Sequence, residues 1–258
     1  MIICCCCSTY QRPMQVGYIV HMFQKQTHKD KRLLILDDGD SFTVPRIREE
    51  NWQLVTIKAR LRSLASKRNK CFHIAMDLFP ESEAIVTMDD DDIYFPWHLE
   101  LHDAALQHCE WSIPSRVLYL NPDGSFRQHL TGPGDFYHAG MAWRREVFEQ
   151  VKGYPDGWSG PEDRELFARF RKAGIMSDDP LTTPSGGVVR DPSYCYGTND
   201  GLLHISSNLR GGSDTGEDAY RIFGEQAYYI RQDLTVESPP GIDLDHPRIL
   251  PGFLPRPF

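Results

Sequence analysis

At 258 residues, 40% hydrophobic and 25% charged, the chain is long enough to bury one substantial core and has the balance of an ordinary globular protein. Its formal net charge of −8 argues against a phosphate-backbone binder, since affinity for nucleic acid comes chiefly from Lys and Arg displacing counterions, so no nucleic-acid partner is expected. The start, Met1-Ile2-Ile3-Cys4, is too short for a signal peptide, and no run of about 18 apolar residues occurs; a cytoplasmic protein without a transmembrane segment is expected.

Residues 2–8 read as a buried strand. Alternate side chains of a strand point to opposite faces, so Cys4 to Cys7 cannot converge on one metal. They are read as small apolar residues, with Cys71, Cys109 and Cys195 as scattered thiols of a reducing compartment. Arg12-Pro13 opens a helix on which Val16, Ile19, Val20 and Phe23 recur at i, i+3, i+4 and i+7. A second strand over 33–36 ends in Asp37-Asp38-Gly39, a third spans 54–57, and a longer helix over 61–79 leads to the strand Ala84-Ile85-Val86-Thr87. Strand and helix alternate, which predicts an α/β fold with a mostly parallel sheet flanked by helices. In such sheets ligands sit outside the carboxyl ends of the strands.

From about Cys109 the pattern turns to mixed strands and Gly/Pro-rich loops, with helices at 144–151, 162–172 and 217–231. This half is expected to form the wall where a second substrate docks. The tail over 237–258 carries Pro239, Pro240, Pro247, Pro251, Pro255 and Pro257, and regular structure is not expected there. Its Ile242, Leu244, Ile249, Leu250, Phe253 and Leu254 are apolar enough to lie against the body or a partner subunit, a reason to look for a homodimer.

The most telling run is Met88-Asp89-Asp90-Asp91-Asp92-Ile93-Tyr94, four carboxylates at a strand end. Two carboxylates about 4 Å apart repel by roughly 4 kcal/mol at an effective dielectric of ~20, so such a cluster stands either in open water or around a cation. The apolar and aromatic flanks, Ile93 to Trp97, favour the cation. On the helix over 61–79, Arg68 interrupts a stripe of Leu61, Leu64, Ala65, Cys71, Phe72 and Ala75, and either snorkels past the core or points to the ligand edge. Ser159 and Glu162 have capping-box spacing, which would occupy Glu162 with backbone N–H groups. Asp163 shares the face of Leu166, Phe167 and Phe170; partial burial there would suit a general base, and the helix dipole alone would also explain an acid in the first turn. His204 and Asn208 follow a Gly-rich loop, and a structural role for a lone His stands beside a role near a metal or phosphate. There is no Walker or dinucleotide phosphate loop and no zinc spacing.

Five elements in order resemble the GT-A fold glycosyltransferases, specifically the inverting family 2. They are Ser8-Thr9-Tyr10-Gln11-Arg12-Pro13, Leu36-Asp37-Asp38-Gly39, Ala65-Ser66-Lys67-Arg68-Asn69, the Asp89 to Asp92 run as an Asp-x-Asp motif, and Glu162-Asp163 as the acceptor-side Glu-Asp pair. Gly140 to Phe148 is similar to the stretch that precedes the acceptor helix in the family. The resemblance covers about residues 2–210. It implies a single GT-A domain over 1–235, with a nucleotide-sugar half (1–108) and an acceptor half (109–235), followed by the tail 236–258.

The resemblance further implies a nucleotide-diphosphate sugar donor, a UDP-sugar foremost, and a hydroxyl acceptor that is a saccharide. Asp38 would contact the base, Thr9, Tyr10 and Arg12 would line the nucleotide pocket, and Arg68 would lie near the base or diphosphate. Asp89 and Asp90 would serve the donor, and Asp91 would hold Mn²⁺ or Mg²⁺. Asp163, with Glu162 beside it, would take the proton from the acceptor hydroxyl. His204 and Asn208 resemble a late His-x-x-x-Asn element at the metal or diphosphate. The acidic run is longer than usual, which leaves Asp92 as an alternative metal ligand, and the segment over 177–200 has no counterpart. A metal-dependent nucleotidyltransferase and a non-catalytic nucleotide- or carbohydrate-binding module are the rival readings.

Overall fold

The computed structural model describes residues 1–39, 46–57, 59–121, 123–131, 137–155, 162–182, 191–196, 234, 236, 238–239 and 241–253. The first half runs β1 (Ile3–Thr9), α1 (Pro13–Lys25), β2 (Lys31–Asp37), β3 (Arg46–Arg48), β4 (Trp52–Thr56), α2 (Leu64–Leu78) and β5 (Ala84–Thr87). There follow β6 (Ile93–Tyr94), α3 (His98–Leu106), β7 (Trp111–Ser112), β8 (Arg116–Leu120), β9 (Phe126–Leu130), a 3-10 turn (His138–Gly140), β10 (Ala142–Arg144) and α4 (Arg145–Gln150). Then come α5 (Glu162–Lys172), β11 (Ser177–Asp178), β12 (Tyr194–Tyr196) and β13 (Ile249–Phe253).

The large sheet has the order β11-β7-β10-β5-β1-β2-β4-β3. Its centre, β5-β1-β2-β4, is parallel, while β10 and β3 run antiparallel to their neighbours. The four cysteines of β1 divide by pleat. Cys5 and Cys7 join the core under α1 and α3, whereas Cys4 and Cys6 pack with Cys71 and Phe72 of α2, Phe148 of α4 and Phe167 of α5. The sheet is thus buried on both faces, which is why its strands read as continuous apolar runs.

Local chemistry sets the helix starts. Pro13 opens α1, where its missing N–H costs nothing. The side chain of Ser63 accepts from Ser66 N–H, so α2 begins at Leu64 and not at Leu61 as the periodicity predicts.

A second sheet has the order β13-β9-β8-β12-β6. Its edge strand β13 corrects the expectation for the tail, since Ile249–Phe253 pairs parallel with β9. The register shifts between Leu250 and Phe253, so Pro251 sits in a bulge on an edge strand, a place that tolerates a residue with no N–H. Ile242 and Leu244 are buried in the core on the α1 side, so this stretch packs on the body. The helix expected over 217–231 lies outside the described residues. Among the described residues no helix is long and apolar enough to cross a membrane.

Candidate active site

Register brings the chemistry to one edge. Thr9 stands opposite Asp37 and Cys6 opposite Thr87, so residues 8–12, Asp37-Asp38 and Asp89 to Asp92 leave the carboxyl ends of β1, β2 and β5 side by side. The four consecutive acids then divide. Asp90 and Asp92 are each only 3% exposed. Asp90 accepts from Thr9 Oγ1 and from Arg12 Nη1 at 2.7 Å, and Asp92 accepts from the Tyr194 hydroxyl at 2.7 Å. Burial, reinforced by Asp92, pushes the Tyr194 pKa well above its usual value and keeps the phenol a donor. The side chains of Asp89 and Asp91 keep 27% and 12% of their exposure, Asp89 beside Arg68 Nη2 and Asp91 beside Arg12 Nη1, both at 3.1 Å.

Burial raises the Asp90 pKa; Arg12 opposes that rise and Asp91 adds to it. Burial likewise works against the Arg12 charge, but Asp90 and Asp91 outweigh it and raise the Arg12 pKa. Mn²⁺ and Mg²⁺ take oxygen ligands, and Mg²⁺ in phosphate sites is commonly held by one or two carboxylates completed by water and phosphate. Asp91, with Asp89 nearby, offers that donor chemistry on the less buried side of the run, while Asp92 is turned toward Tyr194. Among the described residues no group of three or more His, Cys, Asp or Glu is arranged to hold a metal, so an ion here would complete its shell with water or substrate oxygens.

Beside the acids, Asp38 is enclosed by the protein's own cations. Its Oδ1 pairs with Arg60 Nη1 at 2.8 Å and with Lys67 Nζ at 2.5 Å, and its Oδ2 accepts from Leu61 N–H at 3.0 Å. The Arg60 guanidinium lies 3.8 Å from the centre of the Tyr10 ring, and Lys67 also donates to the Thr9 carbonyl. Burial lifts the neighbouring Asp37 to about 6, with Lys67 pulling the other way.

On α2, then, Lys67 takes the place beside Asp38, and Arg68 points elsewhere. The Arg68 side chain, 10% exposed, donates through Nη1 to Glu162 of α5 and through Nη2 to Asp89. Glu162 is therefore engaged by Arg68; Ser159, the other half of the expected capping box, lies outside the described residues. Burial raises the Glu162 pKa against the pull of Arg68. Asp163, next to it, is half-buried, and its Oδ1 accepts from Arg164 N–H at 2.7 Å.

Behind Arg68, Asn69 clamps Tyr154 by two bonds, Nδ2 to the carbonyl at 3.0 Å and Oδ1 from the N–H at 2.9 Å. The Tyr154 hydroxyl meets His138 Nε2. Burial, and secondarily Arg68, depress the His138 pKa well below its usual value, so the imidazole is neutral. Arg60, Tyr154 and Tyr194 escaped the sequence reading, and Lys67, quoted there as part of the element on the long helix, was given no role of its own. For Arg60, the Arg60-Leu61-Arg62 run beyond the third strand is the sequence signal of a cation at this edge. His204 and Asn208, and most of the segment over 183–200, lie outside the described residues.

No family model matches the sequence, and no curated protein matches it. Solved structures do. A fragment of S. aureus TarS in complex with UDP-GlcNAc superposes with a TM-score of 0.56 at 12% identity, over 86% of this chain and 64% of that one. The fold is GT-A. A longer S. aureus TarS chain superposes with a TM-score of 0.54 at 11% identity, over 86% of this chain and 38% of that one. A Drosophila β1,4-galactosyltransferase 7 mutant in complex with manganese, UDP-Gal and xylobiose gives 0.46 at 18% identity, over 84% and 79%. The chain thus spans a little under two thirds of the TarS fragment and well under half of the longer TarS chain. In the GT-A frame the large sheet is the mostly parallel one expected from the alternation of strand and helix.

Proposed function

We propose that the chain is an inverting glycosyltransferase of family 2, moving a sugar from a nucleotide-diphosphate sugar to a hydroxyl of a saccharide acceptor. One observation carries this reading: Arg68 joins Asp89, beyond β5, to Glu162, at the start of α5. A nucleotide-side acid and the Glu-Asp pair thereby meet at one strand edge. The UDP and UDP-GlcNAc complexes of TarS on the same fold support a UDP-sugar as donor. Residues 1–108 form the donor half, and the chain beyond them supplies the acceptor wall.

Tyr10 offers the base a stacking surface once Arg60 lifts from its ring, and Asp38 keeps Arg60 and Lys67 within reach. Thr9 and Arg12 line the ribose and diphosphate, and Asp89 serves the ribose side. Asp91 would hold Mn²⁺ or Mg²⁺, which when bound neutralises charge on the departing nucleoside diphosphate. Asp163 accepts the proton of the acceptor hydroxyl as its oxygen bonds to the anomeric carbon, and the bond to the diphosphate breaks on the opposite face. Configuration inverts in that single displacement. General-base assistance of this kind contributes about 10²–10⁴ in rate. Glu162, fixed by Arg68, positions the first turn of α5 and so places Asp163.

The test is a panel of UDP-, GDP-, CDP- and dTDP-sugars with Mn²⁺ and saccharide acceptors, read by nucleoside diphosphate release and by NMR of the product's anomeric configuration. One donor class giving an inverted product is expected. A retained product, or pyrophosphate release from a nucleoside triphosphate with no sugar transfer, would overturn the reading.

A further inference from the structure

Arg12 stands between two acids at the place where the nucleotide-sugar reading puts a cation. Its Nη1 donates to Asp90 Oδ1 at 2.7 Å and to Asp91 Oδ2 at 3.1 Å, and its side chain keeps 20% exposure. The two contacts are unequal. Asp90 is 3% exposed and also accepts from Thr9, so its charge is costly to leave unpaired. Asp91 is more open and its contact with Arg12 is longer. The backbone at this point is fixed: Gln11 holds a left-handed φ of +53°, its N–H lies 3.4 Å from Asp37 Oδ1, and Pro13 follows at the first position of α1. What can move is the guanidinium.

We infer that Arg12 is an internal counter-ion that guards Asp91. It neutralises the acid in the free protein and releases it when a divalent cation and a diphosphate arrive together, turning on its Asp90 anchor to meet the phosphate oxygens. The inference rests on the nucleotide-sugar reading above. A guanidinium and a divalent cation repel at contact distance, so both cannot sit on the Asp91 carboxylate at full strength. The guanidinium carries five donors in a planar fork, so one edge stays with Asp90 while another reaches a phosphate. Cation and diphosphate are therefore coupled through one side chain, and the coupling is reciprocal.

Removing Arg12 pulls the two affinities in opposite directions, which loss of a merely structural residue does not do. The experiment titrates Mn²⁺ alone, read by the EPR signal of the free ion, and UDP alone, read by calorimetry, on wild type, Arg12→Gln and Arg12→Lys, each checked by thermal melting. Arg12→Gln is expected to bind Mn²⁺ at least tenfold tighter than wild type and UDP at least tenfold weaker. Arg12→Lys, which reaches Asp90 without the fork, falls between on both. A folded variant that loses both affinities, or whose Mn²⁺ affinity is unchanged, overturns the guard role while the nucleotide reading stands. A wild type that binds neither ligand, together or alone, overturns both. If Arg12→Gln does not fold, Arg12→Lys decides on the same two readouts.

Discussion

Replacing Arg68 by methionine keeps an unbranched apolar stem on α2 and removes the cation that joins Asp89 to Glu162. Breaking a buried ion pair from one side costs ~3–5 kcal/mol, because the remaining charge is left uncompensated. Water reaches the Asp89 side chain, which is 27% exposed, so the loss should fall at the lower end, ~3 kcal/mol. At about 2–4 °C per kcal/mol for a chain of this size, the expected fall in Tm at neutral pH is about 6–12 °C. The pH dependence has a definite sign. Burial already raises the Glu162 pKa and Arg68 opposes it, so the rise grows when Arg68 is gone. A carboxyl with a raised folded pKa loses stability as pH rises through that value, and the loss is absent below its ordinary pKa. The deficit of Arg68→Met should therefore shrink as the pH is lowered from 7.5 toward 5. Thermal melts followed by near-UV circular dichroism at both pH values read this directly. A cycle with Glu162→Gln should show a coupling of about 1 kcal/mol or more, since the two side chains are in contact. A Tm fall of under about 2 °C at neutral pH, or a strictly additive cycle, would refute the bridge between donor and acceptor sides.

Three further outcomes follow from the same geometry. Asp163→Asn should bind the donor nearly as wild type does and lose transfer by about 10² or more, because only the proton acceptor is removed; single-turnover rates and donor affinity, measured separately, decide it. His98 and His102 are buried side by side with pKa values depressed by burial, that of His102 to about 3. The unfolded chain takes up their protons first, so their contribution is intact above about 6.5 and falls by up to roughly 1.4 kcal/mol per pH unit for each residue below it. Urea unfolding between pH 7 and 5 should show this acid loss in wild type and a smaller one in His98→Gln, whereas equal slopes would contradict it. Gly153 has φ of +68°, and a Cβ there would stand 2.5 Å from Asn69 Oδ1, an atom already fixed by its bond to Tyr154. Gly153→Ala should lower stability by about 1 kcal/mol or more and weaken activity through Tyr154; an unchanged Tm would exclude the strain.

The first half of the fold was legible because its strands are continuous apolar runs and its helices carry the helical period of apolar residues. β2 extends beyond the expected 33–36 because its polar start, Lys31 and Arg32, hides a pairing with β1, and β4 spans Trp52–Thr56 where 54–57 is expected, since Gln53 interrupts the apolar run at its start. In the tail the prolines argue against regular structure, yet an edge strand with a bulge absorbs Pro251. At the site, the acidic run announced itself, but the division into buried Asp90 and Asp92 and more open Asp89 and Asp91 depends on how the turn between β5 and β6 leaves the sheet. Helical periodicity flagged Arg68 as a charge on an apolar stripe; it did not show that Lys67, one position earlier, is buried too and takes the contact with Asp38. Arg60 comes from a loop with no period of its own, so its stacking on Tyr10 has no sequence signal beyond its charge.

Calorimetric binding of UDP, GDP, CDP and dTDP, each with and without Mn²⁺, on wild type and Asp91→Ala, tests the central claim most directly. The account predicts tight binding of one nucleotide, UDP foremost, strengthened by Mn²⁺ in wild type and deprived of that strengthening in Asp91→Ala. A folded wild-type protein that binds none of the four with Mn²⁺ present would contradict it, because the acidic strand end would then not be a donor site.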